Sequence, residues 1–174
     1  MTESIQQQEL VRIFKENGCL VVAEIGCYRG ETTRILALSG LKVIAIDPFI
    51  GGYDERDKVS KWLSENDVIP KAFQKNVEGF DNIVFMKLKG IDAYNQYNEL
   101  VDGFFLDSVH TFEGVKEDAI WINKVKPNGI LAFHDYTLTF PGVKQWIDEN
   151  MIGKFELIKQ IGTLIIFRNR RIDE

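Results

Sequence analysis

The chain has 174 residues, of which 45% are hydrophobic and 27% are charged, and these proportions indicate one globular domain rather than a disordered chain. Its net charge is −5, with basic residues clustered only at Arg168, Arg170 and Arg171, which argues against a nucleic-acid partner. No apolar run approaches the roughly 20 residues that span a bilayer, which argues against a membrane partner.

The termini and cysteines indicate a cytoplasmic protein. Residues 1–9 are polar and carry two glutamates, unlike a signal peptide. Cys19 and Cys27 are the only cysteines, and they lack CxxC spacing. We therefore expect two reduced thiols rather than a disulfide or a zinc site.

Apolar runs alternate with helical patterns along the chain. Leu10, Ile13 and Phe14 share one helical face and predict a helix over residues 9–17. The run 20–25 is almost continuously apolar, which is typical of a strand buried on both faces. Further strands are predicted at residues 41–46, 83–88, 103–106, 130–133, 155–161 and 163–167. Further helices are predicted at residues 31–40, 57–65, 70–80, 114–125 and 142–150, with a turn at 127–129.

This order of elements predicts an α/β fold. Alternating strands and helices form a doubly wound parallel sheet, and Gly162 joins the last two strands as a tight hairpin. We predict a Rossmann-like, mostly parallel seven-stranded sheet that ends in an antiparallel hairpin. One domain covers residues 1–174, with an N-terminal helix in 1–18, the core fold in 19–168 and a polar tail in 169–174.

A glycine turn follows the first predicted strand. Gly26 and Gly30 flank it, but Tyr28 occupies the second glycine position of a dinucleotide fingerprint, and no P-loop lysine follows. A diphosphate ligand is therefore disfavoured, and a ligand with a positive or zwitterionic end is favoured. Glu24 either faces an ammonium group or orders the loop. The alternative is an ordinary strand-to-helix turn.

Asp47 closes the second predicted strand, 21 residues after Gly26. A carboxylate at this place can accept hydrogen bonds from both hydroxyls of a ribose. The glycine turn and Asp47 together fit adenosine with an amino-acid tail better than a dinucleotide.

Five segments resemble motifs of class I S-adenosylmethionine (SAM)-dependent methyltransferases. They are VAEIGCYRGETT (22–33), IAIDPF (44–49), FFLDSVHTFEGVKED (104–118), PNG (127–129) and FHDY (133–136). The closest branch has a Glu-Ile-Gly-x-Tyr-x-Gly turn and an Asp-x-x-His motif, as in macrocin-type, metal-dependent O-methyltransferases. The similarity spans about residues 20–167.

The resemblance implies roles for individual residues. SAM would be lined by Gly26, Tyr28 and Gly30, its carboxylate end bound by Thr32 or Thr33, and its ribose held by Asp47. The segment 90–92 would flank the adenine. The usual acid of that motif directly follows the glycine, where this chain has Ile91, with Asp92 next.

A second set of polar residues follows strands four and five. Asp107 and Asp135 end these neighbouring strands, about 4.8 Å apart, so both carboxylates can reach one Mg²⁺ or Mn²⁺ ion. Related metal-dependent O-methyltransferases carry an acid pair where this chain has His134 and Asp135. Alternatively, Asp107 caps its loop and bonds the cofactor or backbone, and His134 is a satisfied strand-end residue.

His110 follows Asp107 by three residues and is a candidate general base for a hydroxyl acceptor. The alternative is a histidine that structures the loop.

The sequence therefore predicts a SAM-dependent methyltransferase (EC 2.1.1.-) that acts on a small-molecule hydroxyl with a divalent metal. It does not identify the acceptor. A nucleoside-binding module without turnover and an NAD-dependent oxidoreductase are the alternatives. A homo-oligomer would complete the acceptor pocket if a partner subunit caps it.

Overall fold

The computed structural model describes residues 3–51 and 58–171. One seven-stranded sheet has the strand order β3-β2-β1-β4-β5-β7-β6. Its strands are β1 (Val21–Ile25), β2 (Lys42–Ile46), β3 (Ile83–Met86), β4 (Val101–Leu106), β5 (Val125–Phe133), β6 (Phe155–Ile161) and β7 (Leu164–Arg171). Strands β1 to β5 pair in parallel, whereas β7 is antiparallel to both β5 and β6. The predicted Rossmann-like sheet with a terminal hairpin is confirmed.

Helices flank the sheet. They are α1 (Glu3–Glu16), α2 (Glu31–Leu38), α3 (Lys58–Glu65), α4 (Val68–Val77), α5 (Gly90–Gln96), α6 (Phe112–Asp118) and α7 (Pro141–Asn150), with a 3₁₀ helix at Ala119–Lys124. No helix of the described segments is long and apolar enough to cross a membrane.

Alternating strand residues bury two hydrophobic clusters, one on each face of the sheet. Phe104 packs with the cluster around Trp121, whereas the next residue, Phe105, packs with the cluster around Phe14. Because successive strand side chains point to opposite faces, a strand covered on both sides must be apolar throughout. Cys19 and Cys27 are free and buried in the second cluster, as expected for reduced thiols.

Several predicted boundaries were wrong. The first helix begins at Glu3 rather than at residue 9, and α5 was not predicted. The single helix expected over 114–125 is α6 followed by the 3₁₀ helix, and the turn expected at 127–129 lies within β5. Strand β7 continues to Arg171, so residues 169–171 of the expected tail belong to the sheet. Residues 1–2, 57 and 172–174 of the predicted elements lie outside the described residues.

Candidate active site

A cleft of about 630 Å³ opens at the carboxyl ends of the parallel strands. Open parallel sheets bind ligands at this edge. Four residues that follow strands line the cleft: Gly26 directly after β1, Asp47 directly after β2, Asp107 directly after β4 and, two residues past the end of its strand, Asp135 after β5. The cleft therefore gathers the polar strand-end residues that the sequence singled out.

The turn after β1 depends on glycine. Gly26 has φ +90°, and a Cβ there would lie 2.1 Å from the Asp107 carbonyl oxygen, so no larger residue fits without moving β4. Gly30 has φ +81° and packs against Phe73, outside the cleft lining. Tyr28 holds φ +46°, uncommon for a residue with a side chain, and lines the cleft. The turn is therefore held closely against the segment after β4 at the cleft wall.

Asp47 connects the first two strand ends. Its Oδ2 accepts a hydrogen bond from the Tyr28 amide at 2.9 Å, and its Oδ1 accepts one from the Phe49 amide at 2.7 Å. Burial raises the pKa of Asp47, although both amide donors oppose that change. Because the backbone fixes this carboxylate at the cleft wall, it is positioned to accept hydroxyl hydrogen bonds from a ligand.

Glu24 lies away from the cleft. It is 1% exposed and accepts a hydrogen bond of 2.6 Å from the Thr33 hydroxyl. Burial raises the pKa of Glu24 to about 8, despite the Thr33 hydrogen bond. Of the two roles left open, the geometry supports ordering of the turn, because this contact joins β1 to α2.

Four further predicted cofactor residues lie outside the cleft lining: Thr32, Thr33, Ile91 and Asp92. Thr32 accepts a hydrogen bond from the Gln7 side chain of α1 at 3.0 Å. At the β3 end, Lys89 and Gly90 line the cleft, whereas Ile91 and Asp92 do not. Asp92 is exposed in the first turn of α5.

The cleft wall also includes Ser108 and Asp118, which the sequence did not single out as site residues. Ser108 Oγ donates a hydrogen bond of 2.6 Å to Asp118 Oδ2. Burial raises the pKa of Asp118 to about 6. The available signal was helical spacing: Asp118 follows the apolar Val115 by three residues, which puts both on the buried face of α6.

Asp135 contacts both histidines of the chain. Its Oδ2 lies 2.8 Å from His110 Nε2, and its Oδ1 lies 3.3 Å from His134 Nδ1. Asp107 Oδ1 approaches the same His134 nitrogen at 3.4 Å. Burial opposes ionisation of Asp135, but the two histidines lower its pKa.

A hydrogen-bond relay orients His134. Gln6 Oε1 accepts hydrogen bonds from the Thr163 and Leu164 amides, so this atom is an acceptor. The Thr163 hydroxyl lies 3.1 Å from Gln6 Oε1 and must donate to it. His134 Nε2, 3.3 Å from the same hydroxyl, is then the donor in the neutral ring.

The other nitrogen of this ring is a candidate metal ligand. His134 Nδ1 is buried and, despite the two nearby carboxylate oxygens, has no partner in hydrogen-bond geometry. Burial disfavours the charged ring, but Asp107 and Asp135 raise the pKa of His134 to about 10. The two carboxylates therefore favour positive charge at this place. One ligand atom from each of Asp107, His134 and Asp135 lies within 4.8 Å of the others.

The fold and this cleft define a doubly wound α/β protein with a ligand site at its strand ends. The chain belongs to the methyltransferase domain family, whose model matches residues 23–136. No curated protein matches the sequence.

Solved structures share the fold at low sequence identity. The O-methyltransferase TomG from Streptomyces achromogenes, involved in tomaymycin synthesis and solved with SAM, superposes with a TM-score of 0.69 at 12% identity, covering 97% of this chain and 81% of TomG. A Bacillus cereus O-methyltransferase in complex with S-adenosylhomocysteine (SAH) superposes with a TM-score of 0.65 at 12% identity, covering 97% of this chain and 82% of the Bacillus protein. The N-methyltransferase NodS from Bradyrhizobium japonicum WM9 superposes with a TM-score of 0.62 at 17% identity, covering 96% of each chain.

Proposed function

We propose that this protein transfers a methyl group from SAM to a hydroxyl of a small-molecule acceptor, with a divalent metal ion. One observation carries the proposal: the Asp47 carboxylate and the cluster of Asp107, His134 and Asp135 line the same cleft. In this proposal, a nucleoside site lies next to a site for activating a hydroxyl. The cleft volume of about 630 Å³ suits a small ligand rather than a macromolecule.

The cofactor assignment rests on the first two strand ends. Gly26 lets the end of β1 pack against the Asp107 backbone at the cleft wall, and the fixed Asp47 carboxylate suits ribose hydroxyls. Tyr28, at the second glycine position of a dinucleotide fingerprint, argues against the oxidoreductase alternative. The related structures solved with SAM and with SAH support the same choice.

The metal assignment rests on donor chemistry. Asp107 and Asp135 would supply oxygen ligands, and the buried Nδ1 of His134, once a metal ion has displaced its proton, would supply a nitrogen ligand on the side of the ring away from the Thr163 relay. This set suits Mg²⁺ or Mn²⁺, with the nitrogen favouring Mn²⁺. A bound divalent ion supplies Lewis acidity that lowers the pKa of an acceptor hydroxyl.

His110 is the proposed base. Its ring lines the cleft, held by Asp135 at 2.8 Å and by Phe140 at 4.2 Å between ring centroids. The acceptor oxygen bonds to the methyl carbon as the carbon–sulfur bond breaks, and the sulfur keeps the electron pair of that bond. The hydroxyl proton passes to His110, and S-adenosylhomocysteine is released. The chain's main contribution is to align oxygen, methyl and sulfur.

A methyl-transfer screen tests the proposal. The enzyme is incubated with methyl-labelled SAM and panels of phenols, sugars and small acids, in Mg²⁺, Mn²⁺ or excess chelator. We expect label in one hydroxyl class, lost with chelator and restored by metal. Full transfer in chelator would remove the metal from the proposal. SAM binding without transfer to any class would favour the nucleoside-binding module.

A further inference from the structure

The carboxylate of Asp118 has no role in the function proposed above. Asp118 is the last residue of α6, is 7% exposed and lines the cleft. No lysine or arginine of the described segments forms an ion pair with it. Buried carboxylates are costly unless they are paired, so an acid kept in a cleft wall calls for an explanation.

The contacts of Asp118 leave acceptor capacity for a ligand. Ser108 donates one hydrogen bond to Oδ2, whereas a carboxylate has about four acceptor positions. Oδ1 lies against the backbone of Gly90, where a Cβ would come within 2.0 Å of it. Glycine at position 90 therefore lets the carboxylate reach the end of β3. Ser108 and Gly90, which flank the carboxylate, also line the cleft.

We propose that Asp118 accepts a hydrogen bond from the exocyclic amine of the cofactor's adenine ring and selects a 6-aminopurine over a 6-oxopurine. The assignment rests on the proposed SAM site and names the residue that reads its base. The Asp118 carboxylate lies against Gly90, in the segment after β3, and the Asp47 carboxylate stands at the end of the neighbouring strand β2 in the same cleft. In the proposed site, a nucleoside with its ribose at Asp47 would turn its base toward this wall.

The alternatives on α5 fit less well. Asp92 is exposed and outside the cleft lining, and Ile91 has no side-chain acceptor. A carboxylate accepts a hydrogen bond from the 6-amino group of adenine, but it repels the oxygen of a 6-oxo group. A site built around such a hydrogen bond discriminates strongly, because the mismatched analogue strands a buried polar group.

Titration calorimetry with two ligands tests the assignment. Wild-type protein is titrated with S-adenosylhomocysteine and with its 6-oxo analogue, S-inosylhomocysteine, at pH 8, where the Asp118 carboxyl, with a pKa of about 6, is ionised. We expect the amino form to bind at least tenfold more tightly. Equal binding would overturn the assignment while leaving the proposed function intact. If neither ligand binds, the proposed function fails and the assignment fails with it.

The Asp118→Asn variant tests the residue itself. Its amide oxygen can still accept the Ser108 hydrogen bond, while its NH₂ group presents donors to the cleft. We expect the preference for the amino form to fall at least tenfold, because the 6-oxo analogue now finds a donor. Asp92→Asn is the matched control and should keep the wild-type ratio. An unchanged ratio in Asp118→Asn, or a collapsed one in Asp92→Asn, would overturn the assignment.

One further ligand keeps the test valid if Asp118→Asn fails to fold by circular dichroism. The N6,N6-dimethyl analogue of S-adenosylhomocysteine has no amine hydrogen to donate, and wild-type protein should bind it at least tenfold more weakly than the parent nucleoside. Wild-type affinity for this analogue would overturn the assignment.

Discussion

His110 Nε2 lies 2.8 Å from Asp135 Oδ2, so the loop after β4 is tied to the end of the neighbouring strand β5. Asp135 holds φ +57°, a left-handed conformation that is uncommon for a residue with a side chain. This backbone geometry accompanies contacts to both histidines of the chain. Strained backbone at such a place is typical of sites where side-chain position matters more than local stability.

His110→Ala should lower kcat by about 10² to 10⁴, the usual cost of losing a general base. Affinity for S-adenosylhomocysteine should stay within about twofold, because the cofactor residues are unchanged. Steady-state kinetics and calorimetry measure the two effects. Glu113→Gln, which changes another cleft-lining side chain of the same segment, is the control and should keep kcat. Wild-type kcat in His110→Ala would leave His110 a structural loop residue.

Thr163→Val should weaken Mn²⁺ binding about 10- to 100-fold, the range for losing a partner of a metal-bound histidine. Valine keeps the shape and the Thr163 amide contact to Gln6 but removes the hydroxyl that orients His134. Mn²⁺ titration followed by electron paramagnetic resonance measures the affinity, and ¹⁵N chemical shifts of the His134 ring report its tautomer. Thr163→Ser should restore both values. Unaltered Mn²⁺ affinity and ¹⁵N shifts in the valine variant would exclude the relay.

Asp47→Ala should weaken binding of S-adenosylhomocysteine by about 1 to 3 kcal/mol, since ribose hydroxyls would lose buried acceptors. The variant also loses the contacts to the Tyr28 and Phe49 amides, so circular dichroism should accompany the calorimetry. Asp81→Ala, at an exposed position before β3, is the matched control. A folded Asp47→Ala protein with wild-type affinity would remove Asp47 from the cofactor site.

Glu24 should make the folded protein less stable as pH rises. Its folded pKa of about 8 exceeds its ordinary value of 4.5, so the folded state holds the proton more tightly than the unfolded state does. The stabilising contribution is full below about pH 4.5 and is lost towards pH 8, by at most about 1.4 kcal/mol per pH unit.

Glu24→Gln should flatten this decline, because glutamine can still accept the Thr33 hydrogen bond without ionising. Urea unfolding at pH 5 and pH 8 measures the free-energy difference in each protein. The exposed Glu31→Gln serves as control and should follow the wild type. Equal pH dependence in wild type and Glu24→Gln would mean that Glu24 is ionised in the folded protein.

The sequence predicted the sheet because its strands are short, apolar and separated by helical patterns. It also placed Asp47, Asp107 and Asp135 at one edge of the sheet, where all three line the cleft, since carboxyl ends of parallel strands meet at one edge. It did not assign Glu24 to one of two roles. Strand alternation gives the answer: Val22 and Glu24 share the face that α2 covers, away from Ile25 at the cleft.

Other features depend on contacts between distant segments. Helix α5 has the sequence GIDAYNQ, too short and too polar to give a helical stripe, and its start at Gly90 is packed against Asp118. The His134 tautomer depends on Gln6, far away in the chain. Local periodicity carries no information on such pairs, so only the three-dimensional structure reveals them.

Calorimetric titration of the wild-type protein with S-adenosylhomocysteine and, separately, with NAD tests the central claim most directly. Gly26, Tyr28 and Asp47 predict binding of the sulfur nucleoside and no heat of binding for NAD. Binding of NAD, or no binding of S-adenosylhomocysteine at millimolar concentration, would contradict the account.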